Sequence, residues 1–150
     1  MDIENSTVVT DGRQWETDLP ELGDFEVLVA PWENPAYENL QQKLISALPA
    51  GLRADGRVES RSFYIITGKC IARTILFDWK NYKKAGAEVP FEVKYAETIL
   101  TDPKYRPVRD GIIAAAKRVQ LGITKADKAI EGNSSTSSPG SASGEATKTA

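Results

Sequence analysis

The sequence predicts a mainly α-helical α+β protein. Its parts are a compact helical domain, a short β hairpin or strand pair at the N-terminus and a disordered C-terminal tail. Three observations carry that expectation. Tyr37, Leu40, Leu44 and Leu48 form one apolar stripe at helical spacing behind an Asn34-Pro35 start. A long apolar segment runs through the centre, from Phe63 to Trp79. From Glu131 to Ala150 no large apolar residue occurs, so that stretch buries too little surface to offset its ordering entropy. The expected boundaries are an arm over 1–24, a helical domain over 25–128 and a low-complexity tail over 129–150.

Within the arm, Thr7-Val8-Val9 and Arg13-Gln14-Trp15 flank Asp11-Gly12, and the glycine suits the positive φ of a tight hairpin turn, with a frayed arm as the alternative because the flanking strands are short. Phe25 to Ala30 reads as a strand, because Phe25, Val27 and Val29 alternate onto one face. The region 7–15 is its obvious partner. Asn34 and Pro35 then supply a cap and a first helical residue, and the helix ends at Leu48 before Pro49 and Gly51.

The apolar segment predicts a central helix over 60–81. Ser62, Lys69, Arg73 and Lys80 fall in one narrow sector of its wheel, and Leu76 falls among them. The rest of the circumference is apolar or small, as in a helix covered by several neighbours. Gly68 costs such a helix about 1 kcal/mol relative to alanine, which a close approach of another backbone would justify. A loop over 83–90, a short helix over 91–100 and a turn at 102–106 follow. The last helix is expected from 107 to 121, with Val108, Ile112, Ala115, Ala116 and Val119 inward.

The bulk composition narrows the function classes. A chain of 150 residues supports one domain with a real core. The net charge of −2 argues against nucleic acid as a partner. No run of about 18 apolar residues suggests a membrane span, and the polar start Met1-Asp2-Ile3-Glu4 does not read as a signal peptide. Cys70 is the single cysteine, so no internal disulfide forms. With no histidine, the commonest general base and metal ligand is missing. Asp78, Glu88, Glu92, Glu97 and Asp102 read as solvated carboxylates, and no cofactor or enzyme activity is expected. Gly68-Lys69 lacks the rest of a phosphate loop. Lys69, Arg73 and Lys80 read as a solvated face. Trp32 and Trp79 read as half-buried core, with anchoring of a protein partner as the functional alternative.

Residues 25–121 also follow, in order, a series of short motifs. These are a strand, Asn34-Pro35-Ala36-Tyr37, a long helix ending at Phe77-Asp78-Trp79-Lys80, and Gly86 followed by Val89-Pro90-Phe91. Ile99-Leu100-Thr101-Asp102-Pro103 and Ile112-Ile113-Ala114-Ala115-Ala116 complete the series. This layout resembles the tail assembly chaperones of long-tailed, siphovirus-like bacteriophages. Asp78 departs from it, since a glycine usually precedes the tryptophan there, and Glu92 stands where a Ser or Thr cap is common.

The resemblance implies a non-enzymatic protein of the host bacterial cytoplasm that is absent from the mature virion. It would bind the tape measure protein, keep it soluble and help recruit tail tube protein, with self-association a further candidate. Trp79, Phe91 and Tyr95 are the candidate protein-binding residues. The alternatives are a structural tail or head–tail connector component and a small DNA-binding regulator.

Overall fold

The computed structural model describes residues 12–136, with side chains as far as residue 123. The chain forms two units, one ending at Val119 and one starting at Gln120. The first holds strands β1 (Gln14–Glu16) and β2 (Glu26–Val29), helix α1 (Pro35–Ser46) and helix α2 (Ser60–Cys70). Strands β3 (Leu76–Lys80), β4 (Lys83–Lys84) and β5 (Ala87–Glu88) and helix α3 (Val93–Leu100) follow. Helix α4 (Arg106–Thr136) starts in the first unit and forms the described part of the second. The α+β class therefore holds.

β1, β2 and β3 form an antiparallel sheet in that order. β1 is the partner expected for β2, while the hairpin proposed around Asp11-Gly12 falls largely outside the described residues. Val27 pairs with Trp79, and Val29 with Leu76. A bulge at this point inserts Phe77. It allows Leu76 and Trp79, three residues apart, both to turn inward, where they are 1% and 5% exposed. α4 covers this face. The Trp32 N–H donates to the Ala116 carbonyl at 3.2 Å, and the Arg118 Nε to Glu16 Oε1 at 3.0 Å.

The central helix is shorter than its apolar pattern implies. It stops at Cys70, widens into a π-helical turn over Ile71–Ile75 and becomes β3. The carbonyls freed by this switch are satisfied individually. Thr74 Oγ1 donates to Cys70 O at 2.7 Å, Asn34 Nδ2 to Thr74 O at 2.8 Å, and Ala30 N to Ile75 O at 2.8 Å. The Lys69/Arg73/Lys80 stripe is thus not one helical face. Arg73 pairs with Glu97 on α3, and Lys80 lies on β3 with its Nζ 4.1 Å from the Trp15 ring centroid.

Asn34 has two tasks, because its Oδ1 also accepts the Ala36 N–H at 2.9 Å and caps α1. Asn34→Ala removes the cap and strands a carbonyl at the helix-to-strand switch. Urea unfolding should show a loss of about 2 kcal/mol.

α2 is capped by Glu59, whose carboxylate accepts from Ser62 Oγ (2.8 Å), Ser62 N (2.9 Å) and Arg61 N (3.1 Å). These bonds, the Ser62 hydroxyl first, hold its pKa below the ordinary carboxylate value. A carboxyl depressed in the folded state stabilises above its unfolded pKa and loses that contribution as pH falls through the folded value. Acid unfolding of Glu59→Gln should therefore be less steep in the carboxylate range than that of the parent.

Two helices meet at Gly68. A Cβ built there would lie 2.4 Å from the Leu100 carbonyl oxygen. The same carbonyl accepts from the buried Arg109 Nη1 at 2.9 Å, which also donates to Tyr64 O at 2.8 Å. The guanidinium stacks 3.6 Å from the Tyr64 ring centroid. One cation thus joins α2, α3 and α4, and it occupies the negative end of α3.

Beyond the expected turn, now a short 3-10 segment over Pro103–Tyr105, Pro107 sits in the first turn of α4 and breaks no hydrogen bond. α4 runs past the expected end at 121 and on to Thr136, into the stretch read as a disordered tail. Residues 137–150 lie outside the described residues.

Candidate functional site

The loop after β3 closes on itself. Ala85 and Gly86 both have positive φ, 51° and 82°, as the tight β4–β5 hairpin requires. This turn brings Val89 back over β3, where its carbonyl accepts the Trp79 indole N–H at 2.7 Å. Phe91 and α3 follow.

Trp79, Phe91 and Tyr95, separated by up to 16 positions, therefore meet in one aromatic cluster. Trp79 is its hub. It stacks on Tyr82 with centroids 4.7 Å apart and planes 18° apart. Phe91 meets it edge-on at 5.0 Å and Tyr95 at 6.1 Å, and Phe25 closes the remaining side at 6.1 Å. The Tyr82 and Tyr95 hydroxyls lie 3.4 Å apart. Burial first, then the Tyr95 hydroxyl, pushes the Tyr82 phenol up from its ordinary pKa. Sequence reasoning missed Phe25 and Tyr82. The signal for Tyr82 was its place just after the tryptophan motif.

The three proposed residues differ in access. Trp79 is buried, whereas Phe91 and Tyr95 are half-buried, and Val93 beside them is 43% exposed. Next to the cluster lies a depression of 320 Å³ between Phe25, Tyr82, Tyr105 and Val108, rimmed by Asp24 and Lys83. Asp78 turns its carboxylate to the Trp79 backbone N–H at 2.8 Å. Its side chain thus takes up a backbone donor that a glycine could not satisfy. Trp32, half-buried, packs 5.3 Å from the Tyr37 ring.

The remaining chemistry-bearing groups are dispersed. Cys70 is fully buried, and desolvation pushes its thiol up to about 11, so it stays protonated at neutral pH. Among the described residues no three His, Cys, Asp or Glu side chains gather in a way that could hold a metal ion. Glu97 is taken by Arg73, and Asp102 caps the turn before α4 by accepting the Lys104 N–H. No helix of the described residues is long and apolar enough to cross a membrane.

Residues 32–133 match the family described as YdaY prophage protein. The chain belongs to that family. It is accordingly phage-derived. The YdaY match covers roughly two thirds of the sequence, from Trp32 through α1, α2, β3, the aromatic cluster apart from Phe25 and most of α4. β1 and β2 precede it. No curated protein and no solved structure matches the chain.

Proposed function

We infer that this prophage protein is a tail assembly chaperone. It binds the tape measure protein in the host cytoplasm, keeps it soluble and helps bring tail tube subunits to it. It does so by non-covalent binding and catalyses no reaction. The observation that carries the reading is the ordered set of chaperone-like motifs within a prophage family match, with Trp79, Phe91 and Tyr95 closing into one cluster. Trp79 is the support of that cluster. Phe91 and Tyr95, with the exposed Val93, form an apolar edge suited to a protein partner.

Particles purified after induction of the prophage test this reading by quantitative mass spectrometry. The chaperone should be at trace level beside the tail tube protein. Abundant, stoichiometric copies in the particle would assign it to the virion as a tail or connector component.

A further inference from the structure

α1 is unevenly covered. Tyr37 is buried, but Leu40, Leu44, Ile45 and Leu48 are only half-buried. In the core beside it, Ile71, Ile75, Ile99 and Leu100 are at most 1% exposed. The incomplete coverage coincides with a depression of 260 Å³ between α1 and α2, lined by Leu44, Ala47, Leu48, Ile65, Ile66 and Lys69. It has room for one or two large apolar side chains. Two helices joined by such a groove can take a third helix across them, its anchors set one turn apart.

The charge around the groove selects among helices. From the start of α1 to the end of α2, residues 35–70, the basic residues are Lys43, Arg53, Arg57, Arg61 and Lys69, against three acidic ones, Glu38, Asp55 and Glu59, in a chain of net charge −2, and Arg61 lines a separate depression beside Thr101 and Arg106. The Glu59 carboxylate is already engaged in capping α2. Lys69 lines the groove itself, and Lys43 lies one helical turn before Ala47. Arg53 is held at the end of α1 by its Nε bond to Leu48 O, 2.7 Å. The apolar floor thus has Lys69 in its lining and Arg53 fixed beside its Leu48 wall.

We propose that the α1–α2 groove is the docking site for an amphipathic helix whose apolar stripe is flanked by Asp and Glu. This deepens the chaperone reading and rests on it for the partner's identity: the helix belongs to the tape measure protein. The apolar anchors provide affinity, and the basic rim selects the acidic flanks and speeds encounter. The groove lies wholly within the residues that match the prophage family.

The test uses the full chain and two synthetic 18-residue helices with the same leucine stripe, one flanked by Glu and one by Lys. Fluorescence anisotropy at low salt should give at least about tenfold tighter binding of the Glu-flanked helix. The variant Lys43→Glu/Lys69→Glu should invert the preference with unchanged circular dichroism, because both side chains reach solvent. Leu44→Ser should weaken both peptides. Equal affinity for the two helices, or binding indifferent to the lysine reversal, overturns the groove proposal. So does a concentration-dependent dimer abolished by the same variants, which would give the groove to a second copy.

Co-expression with the tape measure protein separates the two levels. If the parent and the lysine-reversed variant solubilise it equally, the groove is refuted and the chaperone reading stands. If the groove binds the acidic peptide but the parent leaves the tape measure protein insoluble, the chaperone reading fails and the groove survives as a site for another acidic helix.

Discussion

Gly68→Ala should destabilise the protein by about 3 kcal/mol, lowering Tm by roughly 10 °C or more. In an exposed helix the same change is stabilising, since alanine is the better helix former. Here the added methyl would sit 2.4 Å from Leu100 O and 2.8 Å from Leu100 C, both backbone atoms that cannot rotate away. To fit it, α2 and α3 must part. Parting them also pulls the Leu100 carbonyl from Arg109, leaving a buried guanidinium short of an acceptor. Gly111→Ala is the control. Its nearest neighbour at 2.9 Å is Leu22 Cδ1, the tip of a side chain with freedom to move, so the cost should be well under half as large. Chemical denaturation of the two variants in parallel measures the contrast. Equal losses would mean that the Gly68 contact relaxes as readily as the one at Gly111.

Trp79→Ala should be the most damaging change in the aromatic cluster, at about 4 kcal/mol. It removes the hub of contacts to Phe25, Tyr82, Phe91 and Tyr95 and leaves the Val89 carbonyl without its donor. Trp79→Phe keeps most of the buried ring but loses the indole N–H, and should cost about half as much or less. Its effect should concentrate in the 83–91 loop, where hydrogen exchange should speed up at the Val89 amide, now bonded to Tyr82 O at 2.8 Å. A uniform rise in exchange across α1 and α4 would instead assign Trp79 to the global core alone.

The local rules were legible where one short segment decides the outcome. Asn34-Pro35 starts α1, Pro107 marks the first turn of α4, and the alternation from Phe25 gives β2. Gly68 was legible as an anomaly, and its cause is the Leu100 backbone. The failure lies at Ile71–Lys80. A segment apolar around most of its circumference fits a buried helix and a buried strand equally well by periodicity. What decides between them is the pairing of Val27 and Val29 with β3, a tertiary term that the local pattern does not contain. One sign was present. Leu76 stood in the polar sector of the helical wheel, whereas the strand buries it. The end of α4 was misjudged for the opposite reason. Low apolar content set the expected start of the tail at 129, yet the helix runs on to Thr136.

At the candidate site, Trp79, Phe91 and Tyr95, named from the motif order as candidate protein-binding residues, meet in one cluster whose architecture that order did not contain. The contacts depend on the β4–β5 hairpin, whose Ala85-Gly86 turn is a weak signal because alanine rarely takes positive φ. The groove between α1 and α2 was hidden for another reason. An apolar stripe announces that a helix face is covered, without saying how completely.

The central claim is that this prophage protein holds a tape measure protein in solution. The most direct measurement is affinity capture of the tape measure protein from the soluble fraction of cells that co-express the two chains, followed by size-exclusion chromatography. The account predicts that most of the tape measure protein becomes soluble and elutes together with this chain, and that it pellets when expressed alone. A tape measure protein that is equally soluble alone, or that pellets despite abundant folded partner, would contradict it.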